Sequence, residues 1–295
     1  MTLSAGRIGL GSQIDSGASG LKSLALSQWD GGKLIAPWVG AITTKADPKR
    51  ATPLRGDFGA DLQLSGVGAV KTTLGTAKIA GHLSANLWDI AGNLGSLSVA
   101  GATVGKSAAN PLTVRATGSM KSLSLGAALH ADFQAGLTRS VPRHASYFGD
   151  FVNATAAIST IAIKGLKSAP GSRFVTDSSF SAASIGSASL VNIDLENNGA
   201  EFGLFALYRG KNTGVKSARG ADLASRWAWA KPSPCRMRWA PKTGQRSSGT
   251  SKSVPSAAHR RKPCRPQEFT KGIQPDLPKE AGSGMRVRSH VSLLP

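Results

Sequence analysis

Apolar and polar positions follow one short pattern that recurs along the first two thirds of this chain. The pattern reads apolar, Gly or Lys, Ser or Thr, apolar, small or polar, apolar, and its clearest copies are Leu94–Val99 and Met120–Leu125. Looser copies are Leu21–Leu26, Leu74–Ile79, Ile158–Ile163 and Ile185–Leu190. Recurrence of one short unit at intervals of roughly 20 to 45 residues is typical of a stacked repeat architecture. The pattern therefore predicts a scaffold, and it does not predict an activity.

Each copy predicts a β-strand that is followed by a corner. Apolar and polar residues alternate in Leu97–Val99, as in a strand with one buried face. A small residue commonly comes next, where a bulky side chain would obstruct a turn. These predicted corner residues are Gly81, Gly101, Ala127 and Gly165. A second strand-like piece follows, for example His82–Leu87 or Ala128–Phe133, so each unit is predicted to be strand, corner, strand and turn.

Two folds use many short strands with tight turns between them. One is a parallel β-solenoid, in which coils stack like strands on like strands at about 4.8 Å per coil and so bury their apolar faces. The other is an antiparallel β-sandwich. An antiparallel β-sandwich does not require the same six-residue sequence pattern to recur. We therefore favour an all-β fold, a parallel β-solenoid, over residues 1–208.

Composition and charge divide the chain of 295 residues into two parts. Aromatic residues make up only 6% and glycine contributes 35 residues, so we expect a core assembled from small side chains. The formal net charge is +20, of which residues 1–208 carry +5 and residues 209–295 carry +15. Both cysteines also lie beyond residue 208, which excludes a disulfide framework in the repeat region.

Residues 209–295 have the composition of a disordered basic C-terminal tail. Nine of the fifteen prolines lie here, and the stretch Trp239–Thr250 has no periodicity with which to bury apolar area. A second hypothesis is out-of-frame translation of this segment, since Cys, Trp, Arg and Pro become frequent abruptly. Basic residues interleaved with tryptophan predict nonspecific, salt-sensitive binding to polyanions such as RNA or DNA. Cys235, His259 and Cys264 do not match the spacing of a zinc finger.

Targeting and membrane signals are not visible in this chain. The first residues, Met1–Gly9, have no charged segment followed by an apolar one, as a signal peptide has. The longest apolar runs fall far short of the roughly 20 residues that a membrane-spanning helix requires. We therefore expect no membrane-spanning segment.

Two segments interrupt the repeat and are predicted to be polar insertions between coils. The first is residues 44–56, with Lys45, Asp47 and Arg55 among its charges, and the second is residues 137–147, with Arg139, Arg143 and His144. Insertions in solenoids form loops on one face, which is often the binding face. These two segments are therefore the first candidates for contact with a partner.

The wording of the repeat resembles one known group of proteins. Ala91–Gly101 carries the likeness best, and the resemblance covers about residues 5 to 208. The chain resembles bacterial surface and secreted right-handed parallel β-helix proteins, the group of adhesins and autotransporter passengers. The resemblance implies a right-handed β-helix and an extracellular or cell-surface location as part of a longer product. It is weak for function, because such scaffolds include adhesins, lyases and inert stalks.

Candidate catalytic chemistry is sparse in residues 1–208. The closest carboxylate pairs are Asp57 with Asp61 and Asp194 with Glu196, and the second pair can share one face of a strand. Solvated positions beside a turn explain that pair better than catalysis does. His82 and His130 have no Cys, Asp or Glu at metal-ligand spacing, and we expect them on the surface.

The sequence therefore predicts no catalytic, cofactor-binding or metal-binding residue and no cofactor. The predicted function is a non-enzymatic structural or adhesive segment, with a surface polysaccharide or another cell-surface protein as partner. One alternative is a carbohydrate-active, polysaccharide lyase-like β-helix, which requires a stripe of Asp, Arg and Lys at matching positions on adjacent coils. Nucleic-acid binding through the basic tail is another.

Overall fold

The chain forms an almost entirely β structure. The computed structural model describes residues 1–69, 71–169, 171–194 and 202–207 in full, and residue 208 and three later strands by their backbone alone. The strands are β1 (Thr2–Ile8), β2 (Ser12–Asp15), β3 (Leu21–Ala36), β4 (Val39–Thr44), β5 (Phe58–Leu64), β6 (Leu74–Ile79), β7 (Leu87–Ile90), β8 (Leu94–Val104), β9 (Leu112–Ala116), β10 (Met120–Leu129), β11 (Ala131–Ala135), β12 (Ala157–Ile163), β13 (Val175–Thr176), β14 (Ser179–Val191), β15 (Gly203–Tyr208), β16 (Gly214–Arg219), β17 (Trp229–Ala230) and β18 (Arg236–Met237). One 3₁₀ turn spans Phe148–Asp150.

All six copies of the repeat lie in one parallel sheet, which we call side 1. Going up the stack, side 1 contains β1, the first part of β3, β4, β6, the first parts of β8 and β10, β12, the last part of β14 and β16. Each strand is paired in parallel with the next. This arrangement confirms the all-β class and the parallel β-solenoid, whereas the right-handedness stays a prediction.

The fourth position of the repeat forms a continuous apolar row through the stack. Leu97 pairs with Ala77 below it and with Leu123 above it, and the same register extends to both ends of the row. Its members are Leu24, Ile42, Ala77, Leu97, Leu123, Ile161 and Ala188, each no more than 2% exposed. Ile42 belongs to β4, a seventh copy of the repeat that the sequence pattern did not reveal.

Each coil has three sides, where the sequence predicted two strands. Side 2 is a short column that includes Leu83, Ala102–Val104, Ala127–Leu129 and β13. Side 3 contains β2, the end of β3, β5, β7, β9, β11, the first part of β14 and β15. The predicted strand Ala128–Phe133 is broken because His130 takes a positive φ of 51°, which turns the chain from side 2 to side 3.

The core also departs from the small side chains that composition predicted. Trp29, Phe58 and Trp88 are fully buried and pack edge to face, with ring centroids 5.5 and 5.6 Å apart. Higher in the stack, Phe133 and Phe180 lie in register on side 3 and stack at 5.0 Å. A few aromatic residues thus fill the interior, because nearly all of them point inward in the described coils.

The second position of the repeat explains why glycine recurs there. A Cβ atom placed on Gly95 would lie 2.1 Å from the carbonyl oxygen of Gly75 in the coil below. Gly75 meets the carbonyl of Gly40 in the same way, at 2.3 Å. Lys22, Lys121 and Ser159 hold this position in other coils, so the approach is not equally close everywhere. Gly40 and Gly186 also meet the carbonyl oxygens of Lys22 and Ser159 in the coil below, at 2.5 and 2.4 Å, so these glycines lie too close to the neighbouring backbone for a side chain.

Part of the predicted organisation concerns residues that the structure leaves undescribed. Beyond residue 208, β16 pairs in parallel with β14, and β17 and β18 pair antiparallel with each other. The rest of the predicted tail, with its expected disorder and polyanion binding, lies outside the described residues. The boundary at residue 208 and the hypothesis of out-of-frame translation therefore stay predictions.

Gly95→Ala tests the close approach of coils in side 1. We expect the variant to lose about 1–3 kcal/mol in free energy of unfolding, because the new methyl group must displace a backbone carbonyl. Gly9→Ala is the matched control, since a Cβ atom there meets nothing within 4 Å. Chemical denaturation followed by circular dichroism measures both variants. Equal stability of the two variants would contradict the stacking described for Gly75 and Gly95.

Candidate functional site

A groove runs along the corner between side 1 and side 2. Its volume is about 860 Å³, and glycine backbone forms its floor at Gly81, Gly101 and Gly126. The N–H of Gly101 donates to the carbonyl of Gly81 (2.9 Å), and the N–H of Gly165 donates to that of Gly126 (2.9 Å). Four successive corners are therefore formed by glycine, and Gly81 and Gly126 are themselves buried. The predicted corner residue Ala127 is instead fully buried at the start of side 2, and Gly126 makes the corner.

One wall of the groove is the first predicted insertion. The chain leaves side 1 after β4 and rejoins the stack at Phe58, where β5 begins. A short antiparallel bridge joins Asp47 and Leu54 within the insertion. The buried hydroxyl of Thr44 holds the two ends of the insertion together. It donates to the carbonyl of Gly56 (2.5 Å) and accepts from the N–H of Ala80 (2.9 Å). This anchoring brings Arg55 to the edge of the groove.

The opposite wall is a segment that the sequence analysis did not single out. The chain leaves β12 at Lys164, and the next strand on side 2 begins only at Val175. Leu166 folds back over the corner, since a Cβ atom on Gly126 would lie 2.6 Å from its Cδ2 atom. The wall supplies Lys164, Lys167 and Ser168 to the groove. The basic and polar residues that follow the repeat copy of β12, Lys164, Lys167 and Ser168, were the available sequence signal.

The lining of the groove is cationic and hydroxylic. Arg55, Lys164 and Lys167 contribute positive charge, and Ser98, Ser124 and Ser168 contribute hydroxyl groups. The described lining contains no acidic side chain, and its one aromatic ring is the imidazole of His82. The Nδ1 atom of His82 accepts a hydrogen bond from the N–H of Ala102 (3.0 Å), so this residue is half-buried and part of the stack.

The carboxylate of Asp57 lies beside the groove and accepts a hydrogen bond within the stack. Its Oδ1 atom accepts a hydrogen bond from the N–H of His82 (2.6 Å). It also lies 2.1 Å from the Cβ position of Gly81, so that only glycine fits there. Asp61 acts similarly on side 3, where it accepts from the backbone N–H groups of Asn86 (2.7 Å) and Leu87 (3.0 Å). Both members of this predicted pair thus hold the next coil in place.

The second predicted insertion lies elsewhere, between sides 3 and 1, so the two insertions do not share a face. The guanidinium of Arg143, in this insertion, packs against buried carboxylates. Arg143 donates from Nε and Nη2 to both oxygens of Asp132 (3.2 and 3.3 Å) and from Nη1 to Asp177 (3.0 Å). The two carboxylates are at most 1% exposed. Arg143 is therefore a structural anchor and is not available to a partner.

Neighbouring residues complete this buried cluster. Gln134 donates from Nε2 to the backbone carbonyls of Val141, Pro142 and Arg143 (3.0–3.3 Å). The hydroxyl of Ser179 donates to Asp132 (2.6 Å). Burial raises the pKa of the Asp132 carboxyl above its ordinary value, although Arg143 and Ser179 act in the opposite direction.

The remaining residues singled out in the sequence do not form a catalytic group. His130 lies 3.4 Å from Asp177 at the edge of the cluster under the second insertion. Asp194 pairs with Arg173, and its predicted companion Glu196 lies outside the described residues, as do Cys235, His259 and Cys264. Within the described part of the chain, no group of three or more His, Cys, Asp or Glu residues is arranged to hold a metal ion.

A polar pair on side 3 meets part of the requirement set for the carbohydrate-active alternative. Asp89 and Arg115 occupy matching positions on adjacent coils. The Nη2 atom of Arg139 contacts the Oδ2 atom of Asp89 at 2.8 Å. Burial lowers the pKa of Arg115, against the raising effect of Asp89.

Comparison with known proteins does not assign the chain to a family. No protein-family profile, curated protein or solved structure matches it. Among the described residues, none of the helical structure is long and apolar enough to cross a membrane.

Arg143→Met tests whether the second insertion is held by its buried cation. We expect the free energy of unfolding to fall by about 3–5 kcal/mol, because two buried carboxylates lose their counter-charge. Arg7→Met is the control, since Arg7 is 48% exposed in its pair with Asp30 and should cost about 0–1 kcal/mol. Urea denaturation measures both. A similar small loss for the two variants would contradict the anchoring role of Arg143.

Proposed function

We propose that this chain is a non-enzymatic structural and adhesive segment of a bacterial surface or secreted protein, and that it binds its partner in the corner groove. The continuous stack supports the structural role, because coils that bury a shared apolar row make a stable scaffold. The groove supports the adhesive role. It lies between the first insertion and the segment that follows β12, and its three cations, Arg55, Lys164 and Lys167, form no salt bridge within the described part of the chain.

The use of carboxylates supports a non-enzymatic role. Asp57 and Asp61 bind backbone N–H groups of the next coil, and Asp132 and Asp177 neutralise Arg143. Glycosidases need two carboxyl groups that face a common substrate. The carboxylates of the described coils serve folding instead, and none of them lines the groove.

A protein partner has support from a different surface. Tyr147 at the end of the second insertion, with Phe148 and Val152 just after it, is exposed; the three residues are 62%, 60% and 62% exposed. Exposed aromatic residues are enriched in protein interfaces. This exposed patch is a second contact point for an adhesive segment, on a face separate from the groove.

The carbohydrate-active alternative rests on the stripe of Asp89, Arg115 and Arg139. A lyase needs a basic residue close to the scissile bond and a carboxylate or a metal ion to bind the substrate. In the described structure Asp89 forms an ion pair with Arg139, and it is the only carboxylate of this stripe among the described residues. We therefore place this alternative second.

A groove-filling variant tests the proposed function. The full chain is immobilised on beads, and the retention of acidic and neutral polysaccharides by the beads is measured. Ser124→Trp should reduce retention about tenfold or more, because an indole occupies the groove. Thr160→Trp, at an exposed position on side 1, should leave retention unchanged.

Two outcomes would contradict the proposal. Equal retention of the two tryptophan variants would show that the groove does not bind the partner. Accumulation of reducing ends or unsaturated sugars during incubation would show turnover, and this result would favour the carbohydrate-active alternative.

A further inference from the structure

The strongest unexplained feature of the molecule is the convergence of three cations on the corner groove. Arg55 comes from one wall, and Lys164 and Lys167 come from the other. None of the three forms a salt bridge within the described part of the chain, in contrast to Arg7, Arg139, Arg143 and Arg173. Like charges held together by loops from different coils repel one another. An anionic ligand between them relieves this repulsion.

The local balance of charge remains positive after the neighbouring acid is included. Asp57 is the carboxylate next to the floor, and one of its oxygens already accepts the N–H of His82. One partly committed negative charge stands against three positive ones. The groove therefore disfavours cationic ligands and favours ligands with several negative charges.

The floor suits an extended chain more than a single small ion. Its four corners, Gly81, Gly101, Gly126 and Gly165, belong to successive coils, and three steps of about 4.8 Å make it about 14 Å long. Ser98 and Ser124 on the side 1 edge offer hydroxyl groups that both donate and accept hydrogen bonds.

The chemistry of the lining favours sugars over nucleic acid. Proteins that bind single-stranded nucleic acid stack bases on aromatic side chains. Among the described residues, no Trp, Tyr or Phe side chain lines this groove. Hydroxyl groups and exposed cations instead match a polymer that carries both hydroxyl and carboxylate groups on each unit.

We infer that the corner groove binds a linear acidic polysaccharide, whose uronate carboxylates pair with Arg55, Lys164 and Lys167 and whose hydroxyl groups contact Ser98 and Ser124. This inference rests on the proposed adhesive function and names the class of its ligand. The guanidinium of Arg55 can bind a carboxylate through two hydrogen bonds, whereas the two lysines act as point charges on the opposite wall.

A charge-matched comparison tests the inference with the full chain, so that the basic tail is the same in every sample. The groove variant is Arg55→Gln, Lys164→Gln and Lys167→Gln. The control variant is Lys22→Gln, Lys71→Gln and Lys106→Gln, which removes the same charge from exposed lysines outside the groove. Binding to polygalacturonate should weaken about tenfold or more in the groove variant and less than about twofold in the control.

Neutral dextran and single-stranded DNA are the comparison probes. Equal weakening in both variants would overturn the inference, since binding would then follow net charge alone. Groove-dependent binding of dextran without preference for polygalacturonate would also overturn it and would leave the proposed adhesive function standing. Groove-dependent preference for DNA would overturn it in favour of a nucleic-acid ligand. Absence of groove-dependent binding to any polysaccharide would contradict both the inference and the proposed function.

Carbodiimide coupling locates the ligand without any substitution. The reagent joins a uronate carboxyl group to a lysine amine when the two are in contact, with loss of water. Mass spectrometry of the coupled wild-type protein should find polygalacturonate fragments on Lys164 and Lys167 in excess over the exposed Lys22 and Lys106. Uniform labelling of the four lysines would overturn the inference.

Discussion

The register in which one coil lies on the next is the constraint on which the rest of the structure depends. Parallel hydrogen bonds tie each side 1 strand to its neighbours, and the register places Leu97 between Ala77 and Leu123. A slip by one residue would point this side chain outward and bring Ser96 or Ser98 into the core. Backbone pairing and burial of one apolar row therefore specify the same alignment, which makes the stack cooperative along its length.

The insertions depend on that register in two different ways. The second insertion is tied to side 3 through Arg143, which reaches Asp132 in one coil and Asp177 in the next. The two buried carboxylates neutralise the charge of Arg143. The walls of the groove are held by Thr44 and Leu166, a hydroxyl and an apolar side chain, so that Arg55 and the two lysines stay exposed to a ligand. The difference in anchoring decides which loop is structural and which is a candidate site.

Sequence reasoning was successful where a pattern is local. The six copies of the repeat all lie in side 1, and the two predicted insertions do leave the stack. It failed where geometry is set by contacts between coils. In the coil of β10 and β11, the chain turns from side 2 to side 3 at His130, whose positive φ the alternation of apolar and polar residues did not indicate. The seventh copy at β4 was missed because its wording, Val-Gly-Ala-Ile-Thr-Thr, has Ala where the other copies have Ser or Thr.

The sequence by itself determined that short apolar strands recur with glycine corners, and hence that the chain stacks in parallel. It also determined that charge in the repeat region is nearly balanced, and that the cations of the first insertion leave the stack. Only the tertiary structure decided that Arg55 lines the same groove as Lys164 and Lys167, and that Arg143 binds two buried carboxylates. The physical reason is that stacking brings together residues from distant coils, and a linear pattern records which face a residue takes but not which residue of another coil it meets.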